Sequence, residues 1–261
     1  MIHPNYQTWA GENPSRSNER TPVPFEPHPV LRLTESGGSH VWWANLDNAA
    51  LPVERLYDTL SLDERARTER FVFARDRERF IAVRYLLRHL LGSYLHTDPR
   101  DLRFCYGRYG KPALAHPEFA AGSLFFNITH SGNLVAFAIN RQRAVGIDVE
   151  RVDPAVAISQ IASQFFSAHE IAALGKCSSD AQRRAFFTLW TFKEAFAKAT
   201  GHGLGLDLTG LDFSSALEAE RLFVWAEGNG EESRVWCVEK LLLDNHHKAA
   251  LATEWRYRTK Q

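Results

Sequence analysis

The 261-residue sequence is poor in cysteine: Cys105, Cys177 and Cys237 are far apart and odd in number. That spacing argues against a disulfide framework and against a CxxC metal site. No stretch approaches the ~20 consecutive apolar residues that a membrane-spanning helix needs. The first twenty residues lack the basic start and apolar centre of a secretory signal, and a reducing, cytoplasmic location is expected. There is no excess of charge either, 31 Lys and Arg standing against 31 Asp and Glu. Bulk electrostatics therefore draws neither nucleic acid nor a membrane surface, and neither is expected as a partner. A GxxxxGK[ST] phosphate loop is missing, and no internal repeat is evident.

What is present reads as globular, with 44% hydrophobic and 24% charged residues. Residues 1–40 hold six of the eleven prolines and no sustained periodicity, which predicts an extended N-terminal leader. A compact aromatic run at 40–47 has strand character. Residues 61–95 read as helical, opened by the capping pair Ser61 and Glu64. Phe80, Val83, Leu87 and Leu90 then recur at helical spacing. Three strand-like runs at 124–129, 134–140 and 144–152 are joined by connections too short for parallel crossovers, which predicts antiparallel pairing among them. Ser167 with Glu170 marks a second capping box. Ser179 with Gln182 marks a third, opening a helix over 180–199 that Gly201 closes. The runs 221–228, 233–243 and 248–255 alternate like strands, the first two separated by a turn at "GNGEE". Helices and antiparallel strands, twice over, predict an α+β protein of two similar halves, 41–143 and 144–261.

Within "AVGIDVERV" (144–152), alternation along a strand sends Asp148 and Glu150 to one face and Ile147 and Val149 to the other. Two carboxylates on one face repel, and a divalent ion would relieve that, although the wet face of an ordinary strand has the same pattern. The helix "RRAFFTLWTFKEAFAKAT" (183–200) adds a third carboxylate. At ~100° per residue, Ala185, Leu189, Phe192, Phe196 and Ala199 form an apolar stripe, whereas Trp190, Glu194 and Lys198 form a second stripe clear of it. An exposed i,i+4 pair explains Glu194 and Lys198 simply. Trp190 and Phe187 beside them argue equally for a cleft.

Upstream, the turn "YGKP" (109–112) can offer backbone N–H groups and the Lys111 ammonium to a phosphate, with Pro112 fixing its exit, or it can be a plain surface turn. "FNITHSGN" (126–133) ends on Thr129, His130 and Ser131, side chains that suit phosphate. Arginines crowd residues 65–88. Most can pair with neighbouring acids, and one or two can fork onto phosphate oxygens.

In order, Gly110-Lys111-Pro112, Phe126-Asn127-Ile128-Thr129-His130-Ser131-Gly132, Gly146-Ile147-Asp148-Val149-Glu150, Phe165-Phe166-Ser167-x-x-Glu170 and Trp190-Thr191-Phe192-Lys193-Glu194-Ala195-x-x-Lys198, running into Gly201-x-Gly203-Leu204, resemble the Sfp-type 4′-phosphopantetheinyl transferases over about residues 41–255. The resemblance implies two α+β halves related by a pseudo-twofold, with coenzyme A in the cleft between them. It implies a Mg²⁺ ion held by Asp148, Glu150 and Glu194. Lys111 and Lys198 would then meet phosphate oxygens, and His130 the 3′-phosphate of the adenosine, with Thr129 in place of the family's commoner Ser. Trp190 would wall the cleft. Arg67 and Arg79 align with positions near the 3′-phosphate, where Glu64 and Phe80 replace the family's Lys and Thr. The implied reaction moves the phosphopantetheine arm to a serine of an apo acyl or peptidyl carrier protein and releases 3′,5′-ADP. Glu194 would act as base, with Glu150 as the alternative, in a monomer. A metal-dependent phosphohydrolase and a non-catalytic coenzyme A-binding module compete with this reading.

Overall fold

The computed structural model describes residues 32–36, 38–48, 56–115, 124–226 and 234–255. The first 31 residues of the expected leader and the "GNGEE" turn lie outside these. Residues 32–40, expected within the leader, instead form strand β1 (Arg32–Ser36) and begin β2 (Ser39–Asn45), paired antiparallel.

The helical stretch at 61–95 divides into α1 (Leu62–Thr68) and α2 (Ala74–Leu95), with Phe73 extended between them. Ser61 caps α1 as expected, its N–H donating to Glu64 Oε2 at 2.9 Å. The same carboxylate explains the break. Glu64 is buried and receives the guanidinium of Arg84 and, at 2.7 Å, Nε of Arg88, both from α2. A buried carboxylate needs opposite charge beside it, and α1 must fold back on α2 to supply it.

β3 (Phe104–Tyr106) and β4 (Pro112–Leu114) form a small hairpin. β5 (Phe125–Ser131) and β6 (Leu134–Asn140) pair antiparallel, completing a sheet of order β1-β2-β6-β5. α2 covers this sheet through Leu86, Leu87, Leu90 and Leu91 against Phe126, Val135, Phe137 and Ile139.

β7 (Val145–Arg151) departs from expectation: it does not extend the β5–β6 hairpin. Both edges of β6 are already taken, by β2 and β5, so β7 crosses into a second sheet. There it pairs with β10 (His247–Trp255) in the order β7-β10-β9-β8, with β8 (Arg221–Ala226) and β9 (Arg234–Leu241). α3 (Ile158–Phe165), α4 (Ala168–Gly175) and α5 (Ser179–Thr200) follow β7. Ser167 and Glu170 form the expected capping box on α4. The cap of α5 is Ser178, one residue before the expected Ser179, and Gly201 ends the helix at φ 78°.

The sheets share a core in which Val41, Leu134 and Ala136 meet Ile147, Val149 and Leu251. In each sheet the strand that precedes the helices pairs with the last strand, β2 with β6 and β7 with β10. The result is the expected α+β fold of two similar parts.

Candidate active site

Residues 186–199 of α5 are buried except at Trp190, Glu194 and Lys198, which form one half-buried line. That is the second stripe read from the sequence. Lys193, which fell between the stripes, is fully buried. Its ammonium donates to the carbonyls of Leu208 and Leu211, at 2.6 and 2.7 Å, and pairs with Glu170 at 2.8 Å. It therefore anchors the segment after α5. Phe187 is also buried in the core.

The helix reaches the strand because residue 146 is glycine. A Cβ there would stand 2.1 Å from the carbonyl oxygen of Ala195 and 2.3 Å from the Ala199 nitrogen. Gly146, Asp148 and Glu150 share the α5 face by strand alternation, while Ile147 and Val149 enter the core between the sheets. Lys198 Nζ lies 2.6 Å from Asp148 Oδ1.

β5 and β7 are the facing edges of their two sheets, joined through side chains. Asn127 Oδ1 accepts the Ile147 N–H at 2.8 Å, Thr129 Oγ1 that of Val149 at 3.3 Å, and Ser131 Oγ that of Arg151 at 3.1 Å. The constant offset of twenty residues makes the two strands parallel. The two hydroxyls also donate to the carboxylates beyond them, Thr129 to Asp148 Oδ1 at 3.2 Å and Ser131 to Glu150 Oε2 at 2.8 Å.

Burial raises the pKa of all three carboxyls. Lys198 and Thr129 oppose the rise at Asp148. At Glu150 the Asp148 charge adds to burial, while hydrogen bonds from Ser131 and Trp190 oppose it. At Glu194 Lys198 opposes, and Asp148 and Glu150 add. The three groups thus feel one another. Asp148 Oδ2 and Glu194 Oε1 are buried with no hydrogen-bond partner among the described residues. Among those residues no group of three or more ligating side chains stands ready-made around a metal position. The lone pairs that such an ion would use are nonetheless present.

Around these acids stand cations. Lys111 Nζ donates to the carbonyls of Val145, at 3.1 Å, and Lys198, at 2.5 Å, the latter at the C-terminal end of α5. Burial, with Lys198 nearby, pulls its pKa down to about 8. Tyr109 in the same loop lies against Gly205, where a Cβ would come within 2.6 Å of the phenol oxygen. The "YGKP" loop therefore grips the glycines after α5, and Pro112 begins β4 at its exit. His130 keeps an exposed side chain at the strand end, and partial desolvation by the surrounding protein, with the charges of Lys198 and Arg79, lowers its pKa. Arg79 pairs with Asp47 at 3.2 Å. Trp190 packs on Phe165 and Phe186.

Arg67 has other neighbours. It lies over the Phe80 ring and lines a cavity of about 590 Å³ with Asp63, Glu64, Arg70, Phe71 and Tyr106, a lining that includes none of the three carboxylates. Glu64 is buried in this lining, its charge met by Arg84 and Arg88.

Residues 144–252 match the model of the 4′-phosphopantetheinyl transferase superfamily, and residues 50–142 match that of a 4′-phosphopantetheinyl transferase N-terminal domain. The 4′-phosphopantetheinyl transferase HetI of Nostoc sp. is 41% identical over 186 residues, 71% of this chain and 77% of its own length. The chain belongs to the 4′-phosphopantetheinyl transferase family. Sfp of Bacillus subtilis is 36% identical over 59% of this chain and 66% of its own. The L-aminoadipate-semialdehyde dehydrogenase-phosphopantetheinyl transferase of Mus musculus is 30% identical over 73% and 65%. No helix among the described residues of this family member is long and apolar enough to cross a membrane.

Asn127 was not singled out from the sequence, and Ser131, read there as a side chain suited to phosphate, instead bonds Glu150 and the Arg151 amide. Asn127-x-Thr129-x-Ser131 is a polar stripe of period two along the strand, and that was the available signal.

Proposed function

We propose that this protein transfers the 4′-phosphopantetheine arm of coenzyme A to a serine hydroxyl of an apo acyl or peptidyl carrier protein, releasing 3′,5′-ADP. The supporting observation is the convergence of three desolvated carboxylates and Lys198 at the seam between the two sheets, in a chain of this family. Asp148 and Glu194, through their unpartnered oxygens, and Glu150 would hold Mg²⁺, a hard ion suited to carboxylate oxygens. When bound, that ion supplies charge neutralisation for a pyrophosphate.

Glu194 receives the proton of the attacking serine. Its burial raises its affinity for a proton, which is what a base needs, and the ion would take only one of its two oxygens. Glu150, already receiving two hydrogen bonds, is the weaker candidate. Lys198 turns from Asp148 to the phosphate oxygens as they arrive. Lys111 has spent two of three N–H donors on carbonyls and offers the third. Thr129, His130 and Arg79 bound the phosphate end of the cleft, and Trp190 walls the arm. We assign Arg67, which lines its own cavity with Phe71 and Tyr106, to the adenosine end of the ligand. We further propose that the halves divide at about residue 143, that the protein acts as a monomer, and that it works in the cytoplasm.

The test is direct. The protein is incubated with Mg²⁺, coenzyme A and a panel of apo carrier proteins, and intact-mass measurement looks for one added arm. Its appearance on a carrier supports the reading. Hydrolysis of coenzyme A without a modified carrier points instead to a phosphohydrolase, and binding without turnover to a regulatory module.

A further inference from the structure

Ser131 carries the hydrogen bond to Glu150, yet it sits at the end of β5 beside a glycine turn, where a strand is least constrained. Two residues from the other sheet hold it. In the turn before β10, Asp244 accepts the N–H groups of His246 and His247 at 2.8 and 2.9 Å. Both of its carboxylate oxygens lie 2.9 Å from Nδ1 of His247. The His247 side chain is 3% exposed, and its Nε2 lies 3.2 Å from the carbonyl oxygen of Ser131. A carbonyl and a carboxylate only accept, so both ring nitrogens donate. One imidazole thus spans from a carboxylate in the turn before β10 to the backbone of the first sheet.

We propose that His247, fixed by Asp244, is a positioning residue that holds the Ser131 hydroxyl against Glu150. The chain runs Asp244, His247, the Ser131 carbonyl, the Ser131 hydroxyl, Glu150. His247 lies one residue from the cross-strand partner of Glu150, since Lys248 pairs with Glu150 and His247 with Arg151. Strand pairing delivers the ring to the turn, and the ring fixes the turn to the strand that carries the acid. Without it, β5 would keep Asn127 and Thr129 on β7 but lose its last tie. Ser131 Oγ would then no longer serve both Arg151 and Glu150.

The kinetic part of this inference rests on the transferase reading, and the test separates the two. The full chain is compared with His247→Leu, His247→Gln, Ser131→Ala and the double variant His247→Leu/Ser131→Ala. Losing one hydrogen bond to a charged group corresponds to about a tenfold change. We expect His247→Leu and Ser131→Ala each to lower kcat about tenfold, with KM for coenzyme A within about twofold. The double variant should be no worse than Ser131→Ala, because both remove one link of a single chain. His247→Gln, which keeps an N–H for the Ser131 carbonyl, should recover most of the rate. Effects that multiply in the double variant, or a normal kcat in a folded His247→Leu, overturn the proposal.

Amide hydrogen exchange at Arg151, whose N–H ends on Ser131 Oγ, reads the same link without any turnover. It should quicken several-fold in His247→Leu, and an unchanged rate refutes the link. If the wild-type chain modifies no carrier, the transferase reading falls and the exchange measurement still decides the brace. If His247→Leu does not fold, Asp244→Ala frees the ring from its other end and carries the same expectations and the same refutation.

Discussion

Replacing Gly146 by alanine would ordinarily stabilise a strand, by about 0.5–1 kcal/mol from the entropy of the unfolded chain. At this position the sign should reverse. The new methyl would lie 2.1 Å from the Ala195 oxygen, 2.3 Å from the Ala199 nitrogen and 2.8 Å from its Cα, all backbone atoms of a buried helix. An ordinary contact needs at least 3.4 Å, so α5 must retreat by about 1.3 Å or β7 must bow away. Overpacking of this kind costs about 1–3 kcal/mol, and here rigid backbone on both sides favours the upper end. For a chain of this size that lowers Tm by about 5–10 °C. The same retreat pulls Lys198 off Asp148 and carries Glu194 away from β7, so transfer should fall more steeply than stability, by about a hundredfold at a temperature where the variant is fully folded. Calorimetry and carrier-modification rates measure the two effects. A Gly146→Ala protein as stable as wild type, or one destabilised yet fully active, would refute the claim that this close approach sets the site.

Other outcomes follow from single groups. Glu194→Gln should abolish transfer while leaving the urea midpoint unchanged or raised, since it removes a buried charge without a hydrogen-bond partner. Near-normal turnover would dismiss Glu194 as the base. Lys193→Met should destabilise by about 3–5 kcal/mol, because Glu170 then keeps a buried charge without its cation, and adding Glu170→Gln should recover part of that loss in urea unfolding. Burial pushes the Cys237 thiol up to about 12. Its folded pKa exceeds the ordinary 9.0, so the stability it contributes is complete below about pH 9 and disappears as pH rises toward 12. In thiol labelling at pH 8 the exposed Cys105 should react and Cys237 should not until the protein unfolds, and early labelling of Cys237 would contradict this.

The sequence was most legible where cause and effect lie within one helical turn. The caps at Ser61 and Ser167, the stop at Gly201 and the line Trp190–Glu194–Lys198 all depend on neighbours within a few residues. Glu64 shows the limit. Its capping role was readable locally, but its burial against Arg84 and Arg88 spans twenty residues and more, and it breaks a helix that periodicity alone would continue. The destination of β7 was hidden for a similar reason. Short connections restrict strand direction, yet only the crowding of β6 by β2 and β5 decides which sheet the next strand enters. Lys193 was ambiguous on a helical wheel, because an angle of ~40° from the core stripe does not reveal that carbonyls of Leu208 and Leu211 wait there. His247 had no local signal. Its purpose appears only once the two sheets meet.

The comb of Asn127, Thr129 and Ser131 has a consequence for solubility. A sheet edge with unmet N–H groups invites another chain to add a strand. Here each bare edge is turned toward the other, and the Ile147, Val149 and Arg151 amides end on side-chain oxygens that no foreign backbone can displace without dislodging β5. Cutting the chain between residues 140 and 145 would expose both edges at once. Either fragment made alone should aggregate, and the two made together should protect each other.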